Sequence, residues 1–174
     1  MIEQQIAIPT KDGHTATFIA HPERGGPFPV ILFYMDAPAI REELRDMARR
    51  LATSGYYVML PNLYYRSGVM ELGALPADPN APERKRMFAL MGSLTIPMIM
   101  DDTRALLTYA EGQAAANTKL IGTVGYCMSG AKAEVEIYPG THHGFAFPKR
   151  PVYDRDAAER HWERLLALYR RNLV

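Results

Sequence analysis

The one cysteine of the chain lies in "TVGYCMSG", residues 123–130, at the end of a strand-like run. Sixteen residues on, His143 lies in "YPGTHHGFAF". A thiol is a strong nucleophile only as thiolate, so it needs a histidine or a positive dipole end beside it. Gly125-Tyr126-Cys127-Met128-Ser129-Gly130 resembles a nucleophile elbow, a tight turn out of a strand in which small neighbours permit close packing and a strained backbone. Met128, the next residue, can then offer its N–H to an oxyanion. Two other readings stand beside this one. A lone cysteine is most often a small buried hydrophobe. Ser129 is a rival nucleophile, although it lies past the sharpest point of the turn.

His143 falls in a glycine-bounded loop after a strand-like run, where α/β sheets place functional groups. It could equally be a surface or turn histidine, as His142 is expected to be. Asp36, in "FYMDAPAIRE", follows the apolar run 29–35 and so falls on the same rim as Cys127, unless it only caps the next helix. Ala37 in that loop is a source for a second oxyanion N–H. His14, His21 and His161 are expected in a strand, a loop and a polar helix face. No two histidines have zinc-like spacing with a third ligand, so no metal is expected.

The elements that must position these residues are legible. "IEQQIAI" and "TATFIAH" flank the turn signal "PTKDG" and predict an opening hairpin. "PVILFYM" (29–35) and "YYVMLPNLY" (56–64) predict buried strands. Between them, Ile40, Leu44, Met47 and Leu51 predict a helix over 39–55 that Gly55 stops. A glycine- and proline-rich loop is expected over 65–82, a helix from about Glu83 and another from Met98 to Glu111, with Asp101 and Asp102 where the dipole favours them. Strands are expected at 119–127 and 133–139. Ala158, Trp162, Leu165, Leu166 and Tyr169 stripe a helix over 154–173. Strands alternating with helices imply an α/β fold, with a mostly parallel central sheet and helices on both faces.

The chain has 174 residues, 48% of them hydrophobic, which suits one domain spanning 1–174. Twenty basic against 19 acidic residues give no reason to expect nucleic acid or an anionic membrane as partner. No apolar run reaches the ~18 residues of a membrane span. The start, "MIEQQIAIPTKDG", lacks signal-peptide character, and one cysteine allows no internal disulfide, so the cytoplasm is expected.

"VILFYMDAPAIREELRDMARRLATSGYYVMLPNLYYRSG", "TVGYCMSG" and "VEIYPGTHHGFAFP" together resemble the dienelactone hydrolase family of α/β-hydrolases, the carboxymethylenebutenolidase-like proteins. The likeness runs in order along nearly the whole chain. It implies a Cys-His-Asp triad acting on small-molecule esters and lactones without a cofactor. By matching motif, Cys127 is implied as nucleophile, His143 as base, and Met128 and Ala37 as the oxyanion hole. Asp36 stands where the family often has a glutamate that meets the resting thiol. The family also uses arginines for a substrate carboxylate, and Arg41, Arg84 and Arg86 are the nearby candidates. Ala39 stands where the family commonly has glycine.

The pattern breaks after the elbow. Only "AKA" separates Gly130 from the strand expected at Ala133. A parallel crossover needs a dozen or more residues. With ~30 residues per βαβ unit, roughly fifty to sixty residues of the family pattern are absent at a seam near 130–133. The triad acid belongs to that piece. Asp154 and Asp156 come after His143, outside the expected order, and read as the start of the last helix. Three explanations stand: residues omitted from the sequence, a true deletion in a degenerate or engineered member, or a different fold. In the last, 119–127 and 133–139 form an antiparallel hairpin, or a partner chain completes the sheet. A deletion would expose apolar edges and favour homo-oligomers. The functional expectations are therefore a cysteine hydrolase, a catalytically impaired remnant that binds or assembles, or a redox-responsive thiol.

Overall fold

The computed structural model describes residues 1–129 and 138–173. The seam and residues 133–137 of the expected strand lie outside the described residues; Tyr138 and Pro139 are not in a strand. β1 (Ile2–Thr10) and β2 (Gly13–His21) form the expected hairpin, in register from Ile2 opposite His21 to Thr10 opposite Gly13. β3 (Phe28–Tyr34), α1 (Glu42–Thr53) and β4 (Tyr57–Pro61) follow, then α2 (Pro82–Ser93), α3 (Ile96–Glu111), β5 (Ala116–Gly125) and α4 (Arg155–Asn172). The sheet order is β1-β2-β4-β3-β5. β4, β3 and β5 run parallel, while β2 is antiparallel to β4. The described sheet is therefore mixed, its parallel part three strands wide.

Strand alternation divides the interior into two cores. Phe18, Ala20, Ile31, Phe33, Val58 and Leu60 face α1 and α4, with Leu44, Met47, Leu51, Trp162 and Tyr169 packed on them. The residues between, Ile19, Val30, Leu32, Tyr57 and Met59, face Leu106 and Ala110 of α3. A sheet buried on both faces explains why β3 and β4 read as continuous apolar runs. Gly122 brings α4 close to β5: a Cβ there would stand 2.8 Å from Ile31 and 3.1 Å from Tyr169. The Tyr169 hydroxyl donates to the Thr123 carbonyl at 2.8 Å. Among the described residues, no helix is long and apolar enough to cross a membrane.

Helix ends differ from expectation in informative ways. α1 starts at Glu42 because residues 36–39 form a turn, closed by the Ala39 N–H on the Asp36 carbonyl at 3.1 Å. Asp154 caps α4, accepting from the Ala157 N–H at 2.9 Å, which is the role expected for an acid at that start. Asp102 does more than face a dipole. It is buried and receives both Arg66 amino groups and the Tyr65 hydroxyl, each at 2.8 Å. Arg66 also pairs with Asp12 beside the hairpin turn. Burial of the phenol, outweighing its bond to Thr10, pushes the Tyr65 pKa up to about 12, so its hydroxyl remains a donor to Asp102. Removing one partner of a buried pair strands the other charge. Asp102→Ala should lower unfolding stability by about 3 kcal/mol, measured by urea titration; an unchanged midpoint would contradict this pinning role.

Candidate active site

The β3–β5 register puts the chemistry-bearing residues on one rim. Tyr34 is paired with Gly125, the last residues of the two strands. Asp36 and Cys127 therefore each follow two residues later, and Ala37 and Met128 three, from strands about 4.8 Å apart. Cys127 opens a short 3-10 turn, is exposed, and has φ 57°. The left-handed region costs a side-chain-bearing residue roughly 1–2 kcal/mol, so this strain belongs to the turn that presents the thiol. Sequence alone left Cys127 as either a buried hydrophobe or a presented thiol, and its exposure favours the second.

Tyr64, unnoticed in the sequence, ties the two loops together. Its hydroxyl donates to the Ala37 carbonyl at 3.0 Å and lies 3.6 Å from the Met128 sulfur. Burial first, then the charges of Asp36 and Cys127, push its pKa up to about 12. The phenol thus stays a neutral donor through the ordinary pH range. Asn62 fixes the turn that carries Tyr64, accepting from the Tyr64 N–H at 3.0 Å and donating to the Val69 carbonyl at 2.8 Å.

Asp36 is fully buried, and its carboxylate meets two guanidinium groups. Arg41 binds it through both amino groups, at 2.7 and 3.1 Å, and Arg150 reaches it at 3.4 Å. Arg41 also binds Glu43 at 2.9 Å. Burial acts to lower the Arg41 pKa, but the hydrogen bond and charge of Asp36, then Glu43, outweigh it and raise the value. Of the three arginines considered for a substrate carboxylate, Arg41 is thus at the site but occupied by two carboxylates. Arg84 donates to the Pro76 carbonyl at 2.6 Å, and Arg86 is exposed on α2. Among the described residues neither makes a hydrogen bond, ion pair or ring contact with Cys127 or His143.

His143 is exposed, in a loop over residues 138–154 that leads into α4. Turns shape this loop: the Phe145 N–H donates to His142, Phe147 to Gly144 and Arg150 to Phe147, at 3.0–3.1 Å. Gly144 has φ 95° and sits against Arg150, 3.0 Å from where a Cβ would stand. The loop reaches the Cys127 rim through neighbours of His143. Phe147 meets Tyr126, the residue before Cys127, with ring centroids 5.3 Å apart. Tyr126 also bonds His161 at 2.9 Å, so His161 faces the interior rather than a polar helix face. Among the described residues no carboxylate pairs with His143, and no His/Cys/Asp/Glu group suits a metal.

The sequence model of the dienelactone hydrolase family matches residues 15–133 and 129–173. The chain belongs to the dienelactone hydrolase family. Its two matched stretches meet at 129–133, where the sequence reading places the seam. A relative from Methylorubrum extorquens, assigned as a carboxymethylenebutenolidase, is 30% identical over 130 residues, covering 75% of this chain and 42% of its own. The chain spans about half the length of the curated relatives it matches. An Escherichia coli K12 relative of the same assignment, 22% identical, aligns over 230 residues and covers 94% of this chain and 85% of its own. More than fifty positions of that alignment have no counterpart in the 174 residues here. A solved Klebsiella pneumoniae structure, assigned as a dienelactone hydrolase, superposes with a TM-score of 0.81 at 18% identity, covering 97% of this chain and 98% of that one. It establishes the shared fold.

Ala39, which the resemblance sets against a common glycine, has φ 70°. That left-handed backbone suits glycine, and a residue with a Cβ carries strain in it. Ala39→Gly should therefore raise unfolding stability by about 0.5–1 kcal/mol despite glycine's greater unfolded-state entropy. A loss of stability in denaturant titration would show that the loop gains more from the Ala39 methyl than it loses.

Proposed function

We propose that the chain is a carboxylic ester and lactone hydrolase with Cys127 as nucleophile. The thiolate attacks the substrate carbonyl, and the N–H groups of Met128 and Ala37 receive the oxyanion. Collapse of the tetrahedral intermediate expels the alcohol and leaves a thioester on Cys127. His143 takes the thiol proton, passes it to the leaving oxygen, and then deprotonates the water that releases the acid. Asp36 is the partner of the resting thiol, and Arg41 holds Asp36 in place. No cofactor is required. The carrying observation is the strained, exposed Cys127 two residues past β5, where Asp36 lies two residues past the adjoining parallel strand β3. Family membership supports the reaction class. We place the protein in the cytoplasm, where a catalytic thiol stays reduced.

A second reading, a catalytically impaired remnant that assembles with further copies, is favoured by one finding. The alignment with the longer relative runs over 230 residues against the 174 of this chain, and the resemblance implies that its triad acid belongs to the piece absent at the seam. Without an orienting acid, turnover should be orders of magnitude below that of a complete triad. Hydrolysis of p-nitrophenyl acetate separates the two readings. On the hydrolase reading, Cys127→Ala abolishes turnover and His143→Ala lowers it about 10²–10⁴-fold. Equal rates for the parent and Cys127→Ala proteins would remove the enzymatic reading, and an oligomer by size-exclusion chromatography would then support the remnant.

A further inference from the structure

Glu43 is a buried carboxylate that the proposed chemistry does not use. It is the second residue of α1, where the helix dipole would favour an acid even in solvent. Its burial needs a further reason, because a carboxylate taken out of water must be paired and hydrogen-bonded to persist. Both oxygens are engaged. Oε2 accepts from Arg41, at 3.0 Å from Nε and 2.9 Å from Nη2. Oε1 accepts from the backbone N–H of Lys149 at 2.9 Å. Arg41 is the residue that grips Asp36 on the Cys127 rim, and Lys149 lies six residues after His143 on its loop.

Glu43 thus joins the two halves of the site through a short polar chain, Asp36 to Arg41 to Glu43 to the Lys149 N–H. The Phe147 ring strengthens the junction, lying 5.2 Å from the Arg41 guanidinium and 5.1 Å from that of Arg150. Apolar packing does not do this work alone. A cavity of about 150 Å³ opens between α1, the 146–153 segment and α4, bordered by Glu43, Lys149, Tyr153 and Trp162. Where side chains leave that gap, the bond from Glu43 to Lys149 is a direct tie between α1 and the histidine loop.

We propose that Glu43 is a positioning residue. It fixes the loop that carries His143 against the rim that carries Cys127, so that the imidazole meets the thiol. The proposal rests on the Cys127–His143 reading. It assigns to α1 the holding of a histidine with which no carboxylate pairs among the described residues.

The test measures Cys127 alkylation by iodoacetamide from about pH 5 to 9, and kcat and KM for p-nitrophenyl acetate. The proteins are the parent, His143→Ala, Glu43→Ala, Glu43→Gln and the double variant Glu43→Ala/His143→Ala, with Glu42→Gln as an exposed neighbour control. Glu43→Ala should lower kcat about tenfold with little change in KM, and slow Cys127 alkylation toward the rate of His143→Ala. Glu43→Gln, which keeps an acceptor for the Lys149 N–H, should recover most of the loss. The double variant should be no slower than His143→Ala alone, because Glu43 acts through that histidine. Lys149→Pro deletes the donor from the other side and should reproduce Glu43→Ala, keeping the test decisive if Glu43→Ala does not fold. A normal Glu43→Ala protein beside an impaired His143→Ala protein overturns the proposal, as does a full additional loss in the double variant. An alkylation and hydrolysis profile indifferent to His143→Ala overturns the underlying site reading instead.

Discussion

The parallel pairing of β3 with β5 is the constraint from which the site follows. It ends with Tyr34 beside Gly125, so each strand releases its chain at the same height and in the same direction. Asp36 and Cys127 each follow two residues after that last pair, and Ala37 and Met128 three. The left-handed residue in each loop, Ala39 in one and Cys127 in the other, turns the chain sharply away from the sheet. Such strain persists only where the surroundings over-determine it. Here the two buried faces of the sheet and the Tyr64 hydroxyl supply that determination.

Charge holds the rim together where apolar contact does not. Asp36 and Glu43 are both buried, and Arg41 lies between them. Such a chain is costly to bury and is weak evidence for added stability. It is better evidence for specificity of arrangement, since each carboxylate has few other places to satisfy its oxygens. Arg150 and Phe147 extend the same cluster to the histidine loop. Residues 138–154 form turns with no helix or strand, and they meet α1 at Glu43 and the rim at Asp36.

Much of this was legible in the sequence, and the limits have physical causes. Apolar runs and the 3.6-residue stripe located β3, β4, α1 and α4, because burial on one or both faces writes directly into residue type. The apolar runs and elbow glycines gave the position of Asp36 and Cys127 just past the ends of two strands. Partners distant in sequence were not legible. Tyr64 reads as one of two tyrosines before a turn, and only the fold brings its hydroxyl to Ala37. Glu43 reads as an ordinary acid in a first helical turn, although it meets Lys149 more than a hundred residues later. His161 was assigned to a polar face by helical periodicity, while Tyr126 supplies it with a buried partner. Periodicity gives the face of a residue but not the group across from it.

The seam sharpens what the remaining site must accomplish. The family match divides where only three residues join the elbow to the next expected strand. The proposed reaction has one covalent step, passage of the acyl group through the sulfur of Cys127. Acid quenching during turnover of p-nitrophenyl acetate, followed by peptide mapping by mass spectrometry, addresses it directly. The account predicts an acetyl group on the peptide bearing Cys127, present during turnover and gone once substrate is exhausted. Turnover with no adduct on that peptide, or with acetyl accumulating on Ser129 instead, would contradict it.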